Sequence, residues 1–157
     1  MVLRIIYTLF IGVIFAILVG VGVAAFYPEP KMPEYPSALK VPRPEERLAE
    51  PVFLELRSLQ ENYDKDLIAY QQKEALYNRN VSLISIALSV ATLVVSLTFF
   101  QKILLIADGL LLGGVLTLFY SLARGFGSGN DMFRFIVVAI GFVIAIFLGY
   151  TKLKERG

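Results

Sequence analysis

Asp108 is the only acidic residue inside the long apolar stretches of this chain. An ionisable group in a membrane helix is by default a hypothesis of function, because it can bind a proton or a cation there. The alternative is an ion pair with Arg4 or Lys152, whose long side chains reach along the same membrane face in the predicted topology. A third interpretation is a carboxylate that headgroup water simply reaches. The sequence favours the ion pair.

A stripe of small hydroxyl-bearing residues runs along the uncharged segment Val81–Phe100, at spacings of three and four residues. Apolar side chains gain little by leaving lipid for another helix, so small residues and hydroxyls hold membrane helices together. We therefore expect the stripe to contact another helix, with the spacing of a left-handed crossing. A hydroxyl-lined transport path is the less favoured interpretation. The stripe comprises Ser82, Ser85, Ser89, Thr92 and Ser96.

Small residues four positions apart recur in the other three apolar segments. Residues with this spacing lie on one helix face and allow close, right-handed crossings. Such a face in every segment favours a compact bundle or an oligomer. The residues are Thr8, Gly12, Ala16, Gly20 and Ala24 in the first segment, Gly109, Gly113, Thr117 and Ser121 in the third, and Gly141, Ala145 and Gly149 in the fourth.

The residue types that most protein chemistry needs are missing from the sequence, which contains no cysteine and no histidine. Their absence excludes disulfides, thiol nucleophiles, zinc sites of the Cys/His type and histidine-ligated haem. It also removes the commonest acid–base group, and a serine without a base is not a nucleophile. We therefore predict that the chain is not an enzyme and has no metal or cofactor.

The glycine-rich segment from Arg124 to Asp131 superficially resembles a phosphate-binding loop. No strand precedes it, and the known phosphate-loop motifs need a strand–loop–helix context. We expect a flexible turn, with Asn130 or Asp131 capping the next helix.

The net charge of +2 and the pI of about 8.9 are mild and indicate no nucleic-acid partner.

Composition indicates an integral membrane protein. The chain has 157 residues, 57% of them hydrophobic, and a mean hydropathy of +0.68, which is too apolar for an ordinary soluble domain. The predicted spans are Ile5–Phe26, Val81–Phe100, Ile103–Ala123 and Phe135–Tyr150. The last span is short and borrows residues 132–133 or Thr151 to cross the bilayer.

The connection between spans two and three consists of Gln101 and Lys102 alone. So short a connection predicts an antiparallel hairpin. One continuous helix is the alternative, but it places Lys102 at the costly bilayer centre. The first span is a retained anchor rather than a cleaved signal peptide, because its apolar block of about 22 residues exceeds the usual signal-peptide core.

A polar insert joins the first two spans. Residues 28–51 contain all seven prolines of the chain and form an extended strap. The strap is a spacer, or alternatively a docking segment for a proline-binding partner. Residues 52–80 form an amphipathic helix that runs on into span two. Its apolar face is expected to meet a partner, a second copy or the membrane surface, through Leu56, Tyr63, Tyr70 and Tyr77.

Basic residues flank the spans unequally and predict the orientation. Arg4, Lys102 and the last three basic residues of the chain face one side, while Arg124 and Arg134 lie on the other. Cytoplasmic loops carry the excess of lysine and arginine. We therefore expect both termini to be cytoplasmic in a plasma membrane, and residues 28–80 to lie outside.

The fold class is thus an all-α integral membrane protein with four transmembrane helices, a Pro-rich strap and a long amphipathic helix. We expect a structural or accessory subunit that forms a homo-oligomer in the lipid bilayer or joins other membrane subunits through its small-residue faces. The alternative is a small proton- or cation-linked transporter or channel that uses Asp108 and the hydroxyl stripe. The predicted segments are residues 1–27, 28–51, 52–80, 81–123, 124–134 and 135–157.

Overall fold

The computed structural model describes residues 2–40, 49–98 and 103–154, with side chains up to residue 151. Within these ranges the secondary structure is helical, without a strand. Each of four long helices contains a stretch long and apolar enough to cross a membrane, which confirms the all-α class with four candidate spans. They are α1 (Val2–Phe26), α2 (Glu50–Thr98), α3 (Leu104–Phe126) and α4 (Asp131–Lys154).

The chain divides into two compact units. The first comprises Met1–Pro28 and Ala75–Gly157, and the second comprises Glu29–Glu74. Helix α2 contributes residues to both units and continues without a break through Asn80, where the amphipathic helix was expected to meet the second span.

In the second unit, residues 29–36 form neither helix nor strand, and one 3₁₀ turn follows at Ser37–Leu39. The Tyr35 ring contacts the Tyr63 ring edge-on, with 5.0 Å between the ring centroids. Pro51 lies in the first turn of α2 rather than in the strap, at a position where its missing N–H would have no helical partner. The part of the predicted strap at 41–48 lies outside the described residues.

Helices α2 and α3 of the first unit form an antiparallel hairpin, as the sequence predicts. Ser96, near the end of α2, bonds to Ala107, near the start of α3, while Ser82 accepts a hydrogen bond from Ser121 in the last third of α3. The turn residues 99–102 lie outside the described residues. Because the two helices lie side by side, the alternative of one continuous helix is wrong.

The connection between α3 and α4 is shorter than the predicted loop at 124–134. Helix α3 continues to Phe126 and α4 begins at Asp131. The side chain of Asn130 accepts a hydrogen bond of 3.0 Å from the backbone N–H of Phe133, which confirms the expected helix cap. Helix α4 is accordingly longer than its predicted span at both ends.

Small polar side chains are buried in the first unit beside apolar ones such as Val81 and Val137, while many large apolar side chains are exposed. Ser85, Ser89 and Ser121 are 0% exposed, as buried as any apolar core residue. Phe119 and Phe142 are 67% and 66% exposed. A surface with so many large apolar side chains around buried serines differs from that of an ordinary water-soluble protein.

Candidate functional site

Among the residues that the structure describes, three hydroxyl–carbonyl hydrogen bonds join α2 to α3, at every second helical turn. In each bond a serine of one helix donates to a main-chain carbonyl of the other, over 2.7 to 2.9 Å. The bonded residues are seven apart on both helices, so the same contact repeats along the interface. We call this set the hydroxyl seam. Its pairs are Ser82 with Ser121, Ser89 with Gly114, and Ser96 with Ala107.

Glycines on α3 allow the close approach that the hydroxyl seam requires. A Cβ atom added at Gly114 would lie 2.8 Å from the side chain of Leu93, and one added at Gly125 would lie 3.0 Å from Oγ of Ser82. Atoms at these distances would require the neighbouring side chains or the helices to shift. The seven-residue recurrence of Ala107, Gly114 and Ser121 is visible in the sequence, but only the four-residue spacing that begins at Gly109 was used in the prediction.

Two members of the predicted stripe do not bond to α3. The hydroxyl of Ser85 is fully buried and has no hydrogen-bond partner among the described residues. Thr92 is half-buried and donates a hydrogen bond of 2.7 Å to the carbonyl of Leu88 on its own helix. The stripe therefore lies at the interface, but its five residues play unequal parts there.

Helices α1 and α3 cross at three glycines. A Cβ atom built on any of them would lie within 2.9 Å of a side chain of the opposite helix. One built on Gly113 would also lie 3.2 Å from the carbonyl of Gly12. Contacts this close need residues without a side chain. We call these residues the glycine crossing: Gly12, Gly109 and Gly113.

The other predicted packing residues lie in looser surroundings. Ala16 is half-buried, whereas a Cβ atom at Gly20 would meet nothing within 4 Å. A Cβ atom at Gly141 would lie 3.4 Å from the side chain of Leu122, an ordinary contact between α3 and α4. Ala145 is exposed. Small residues on α1 and α4 are therefore only partly covered within this chain.

An ion pair joins the N-terminal ends of α1 and α3. The guanidinium of Arg4 donates to the carboxylate of Asp108 over 2.6 Å, and the two side chains are 53% and 34% exposed. The side chain of Lys152, the other predicted partner, lies outside the described residues. Asp108 thus contacts a cation supplied by the chain itself, and the pair ties the two helices together at this end.

Aromatic rings and an arginine are stacked at the opposite end of α1. The rings of Tyr27 and Tyr77 are nearly parallel, with centroids 5.3 Å apart. The guanidinium of Arg124 lies 5.4 Å from the Tyr77 centroid and 5.8 Å from that of Tyr120, within cation–π range. It also donates to the side-chain oxygen of Asn78 over 3.0 Å. We call these residues the tyrosine–arginine cluster.

The tyrosine–arginine cluster was not predicted from the sequence, although a signal for it exists. Tyr27, Tyr77 and Tyr120 all lie near the ends of predicted spans, where aromatic residues collect in membrane proteins. Arg124 was assigned to the loop, but it belongs to the last turn of α3, and this position brings its side chain to the rings.

The predicted partner-facing residues are not equivalent. Tyr77 is only 4% exposed and is stacked on Tyr27, so this chain covers it. In the second unit Leu56 and Tyr63 are half-buried, and Tyr63 contacts Tyr35. Tyr70 is half-buried too.

The hydroxyl of Tyr70 remains a neutral phenol at physiological pH. Desolvation raises the pKa of Tyr70 above its usual value, and the negative charges of Glu74 and Glu29 raise it further. This part of α2 therefore presents an uncharged hydroxyl and ring.

No group of three acidic, histidine or cysteine side chains that could hold a metal ion is found among the described residues. No known protein family, curated protein or solved structure matches this chain. The contacts described above are therefore the basis on which a function is inferred.

Proposed function

We propose that this chain is a small integral membrane protein that acts as a structural or accessory subunit. One observation carries the proposal: buried hydroxyls and glycines lie at the helix contacts beside apolar side chains, while many large apolar side chains cover the outside. Lipid removes the hydrophobic drive for burying apolar side chains, and close packing and hydrogen bonds hold helices together instead. A bundle built in this way suits a bilayer.

The central and peripheral helices differ in a way that supports a subunit role. In the most apolar 18-residue stretch of each helix, 44% of α2 and 39% of α3 is buried, whereas only 17% of α1 and 11% of α4 is buried. The hydroxyl seam and the glycine crossing are used inside the chain, so they are not free to bind another subunit. We therefore propose the least buried of the four helices, α4, as the association surface.

Helix α4 offers the most open small-residue face for such an association. Ala145 and Gly149 are exposed and four residues apart, and a Cβ atom at Gly149 would meet nothing within 4 Å. A helix of a second copy or of another membrane subunit can approach such a face closely. In the second unit, Leu56, Tyr63 and Tyr70 are the residues that we propose for contact with a partner outside the membrane.

The alternative of a proton- or cation-linked transporter or channel draws less support from the same contacts. The hydroxyls of Ser89 and Ser96 are buried and donate to carbonyls of α3, so they are not available to line a water-filled path. Asp108 is engaged by Arg4. A transport role would require both interactions to break.

The proposed location is a plasma membrane, with both termini in the cytoplasm and residues 28–80 outside. The support is the distribution of basic residues around the four apolar helices.

The test is the mass of the protein in polymer nanodiscs cut from its own membranes. We expect wild-type protein to be found as a homo-oligomer or with a co-purifying membrane subunit. Gly149→Leu should release a monomer, because leucine fills the open face of α4 while improving the helix propensity of that position. Gly22→Leu on α1 is the matched control and should leave the assembly unchanged. A wild-type monomer without a co-purifying subunit would contradict the proposal.

A further inference from the structure

The described part of the strap has a repeat of three residues. Pro30, Pro33 and Pro36 are half-buried, whereas Lys31 and Glu34, each one residue further along, are exposed. Pro36 has φ −58° and ψ 127°, near the polyproline II values of about −75° and +145°. A polyproline II helix has three residues per turn, so residues three apart share one edge. The strap therefore has a half-buried proline edge and an exposed charged edge.

Helix α2 has a matching stripe in the second unit. Half-buried leucines and tyrosines recur there at spacings of three and four residues, so they share one face of the helix. We call this set the leucine–tyrosine face: Leu56, Leu59, Tyr63, Leu67 and Tyr70. Asp64 and Lys65, which lie between its members, are exposed. The leucine–tyrosine face is thus partly covered, while these charged neighbours are open to solvent.

The strap lies against the leucine–tyrosine face at two points. The ring of Tyr35 contacts the ring of Tyr63 edge-on, with 5.0 Å between the ring centroids. One heptad earlier on α2, desolvation raises the pKa of Tyr70, and the charge of Glu74 and then that of Glu29 on the strap raise it further. The strap therefore runs antiparallel to α2, with Glu29 near Tyr70 and Tyr35 on Tyr63.

This arrangement has the chemistry of a proline-rich ligand on its receptor. Proteins that bind proline-rich segments do so through aromatic-lined surfaces, and the polyproline II helix suits such binding because it is already ordered before it binds. Here the tyrosines of α2 supply the aromatic surface, and Pro30, Pro33 and Pro36 supply the repeat of three. The second unit thus contains both halves of a recognition pair.

We propose that the leucine–tyrosine face is a binding surface for proline-rich segments in the polyproline II conformation. The strap occupies this face within the chain, and a partner's segment with prolines three residues apart binds in its place. The inference rests on the proposed function, which assigns Leu56, Tyr63 and Tyr70 to a partner outside the membrane, and it adds the chemistry of that partner. The strap is then an intramolecular competitor, at an effective concentration on the order of millimolar.

The experiment measures binding of a fluorescent synthetic peptide with the sequence of residues 28–40 to the full-length protein in nanodiscs. Pro30→Ser combined with Pro33→Ser weakens the competing strap, so the peptide should bind this double variant about tenfold more tightly than wild type. Lys31→Ser combined with Glu34→Ser is the matched control. It introduces two serines one residue further along, leaves the net charge unchanged, and should bind the peptide as wild type does.

Two variants at Tyr63 test whether the peptide binds to α2. In the background of the proline double variant, Tyr63→Ala should lower the affinity for the peptide about tenfold, because the aromatic contact is lost. Tyr63→Phe retains the ring and should restore the affinity. A peptide in which Pro30 and Pro33 are replaced by serine should bind about tenfold more weakly than the original peptide.

Three results would overturn the proline-binding surface. They are equal peptide affinity for the proline variant and its matched control, equal affinity for Tyr63→Ala and Tyr63→Phe, and no binding to the proline variant at a peptide concentration of about 1 mM. Thermal unfolding midpoints within a few degrees of wild type would show that the variants are folded. If the double variant does not fold, Pro33→Ser alone replaces it, with an expected gain in affinity of about threefold.

Failure of this inference is separable from failure of the proposed function. Wild-type protein that assembles in the membrane, together with a folded proline variant that does not bind the peptide, contradicts the proline-binding surface alone. Peptide binding that depends on Tyr63, in a chain that is otherwise a monomer without a co-purifying subunit, contradicts the proposed function alone.

Discussion

At the scale of single residues, Asp108 is the side chain on which a structural and a chemical role can be told apart. Its pair with Arg4 is partly exposed, and exposed ion pairs contribute about 0 to 1 kcal/mol to stability. Asp108→Asn keeps an oxygen acceptor for Arg4, so we expect the free energy of unfolding to fall by less than about 1 kcal/mol. Reversible unfolding in mixed detergent micelles measures this change.

The control for this prediction is a double-mutant cycle with Arg4→Gln. If the pair is only structural, the first substitution already removes it. The second substitution should then lower the free energy of unfolding by little. An Asp108→Asn protein of unchanged stability that loses proton or cation flux in proteoliposomes would instead favour the transport alternative.

The pairing of Asp108 was open to prediction from sequence, whereas the position of Arg124 was not. Arg4 and Asp108 are both the first charged residues of their apolar segments on one membrane face, so topology alone brings them together. Arg124 is followed by a glycine-rich segment that is typical of a loop, because glycine disfavours the helical conformation. The helix nevertheless continues to Phe126, because Gly125 packs against Ser82 and Val137, a tertiary contact that local propensity does not contain.

At the scale of helices, the hydroxyl seam separates serines that look alike in the sequence. Ser85 and Ser89 are both 0% exposed on α2, but only Ser89 donates to α3, over 2.7 Å to the carbonyl of Gly114. Ser89→Ala should cost about 0.6 kcal/mol and at most about 1.7 kcal/mol of unfolding free energy, the range of interhelical hydrogen bonds in membranes. Unfolding of each variant in mixed micelles gives the values.

Ser85→Ala is the matched control for that prediction. It removes a buried hydroxyl that has no partner among the described residues, so we expect stability to be unchanged or slightly increased. Equal losses of unfolding free energy in Ser89→Ala and Ser85→Ala would contradict the prediction, because the hydrogen bond of Ser89 to α3 would then add no stability.

Periodicity predicted which face of α2 is buried, but it could not say which helix meets each face of α3. Helix α3 contacts α1, α2 and α4 and carries two sets of small residues. Gly109 and Gly113, four apart, meet α1, whereas Ala107, Gly114 and Ser121, seven apart, meet α2. Both sets lie within one short helix, and spacing alone does not attach either to a partner. The three-dimensional register supplies that information.

At the scale of the whole molecule, orientation in the membrane is the property that the basic residues predict most directly. The absence of cysteine makes the test clean, because a single introduced cysteine is the only thiol in the chain. Glu34 in the second unit and Val2 at the start of α1 are both exposed, so Glu34→Cys and Val2→Cys leave the helix contacts intact.

A membrane-impermeant maleimide should label Glu34→Cys in intact cells and label Val2→Cys only after the cells are permeabilised. The physical reason is the excess of lysine and arginine around the chain termini and the α2–α3 turn, which retains these segments in the cytoplasm. The cysteine-free wild type is the control for background labelling. The opposite pattern would invert the topology and place the Arg4–Asp108 pair outside.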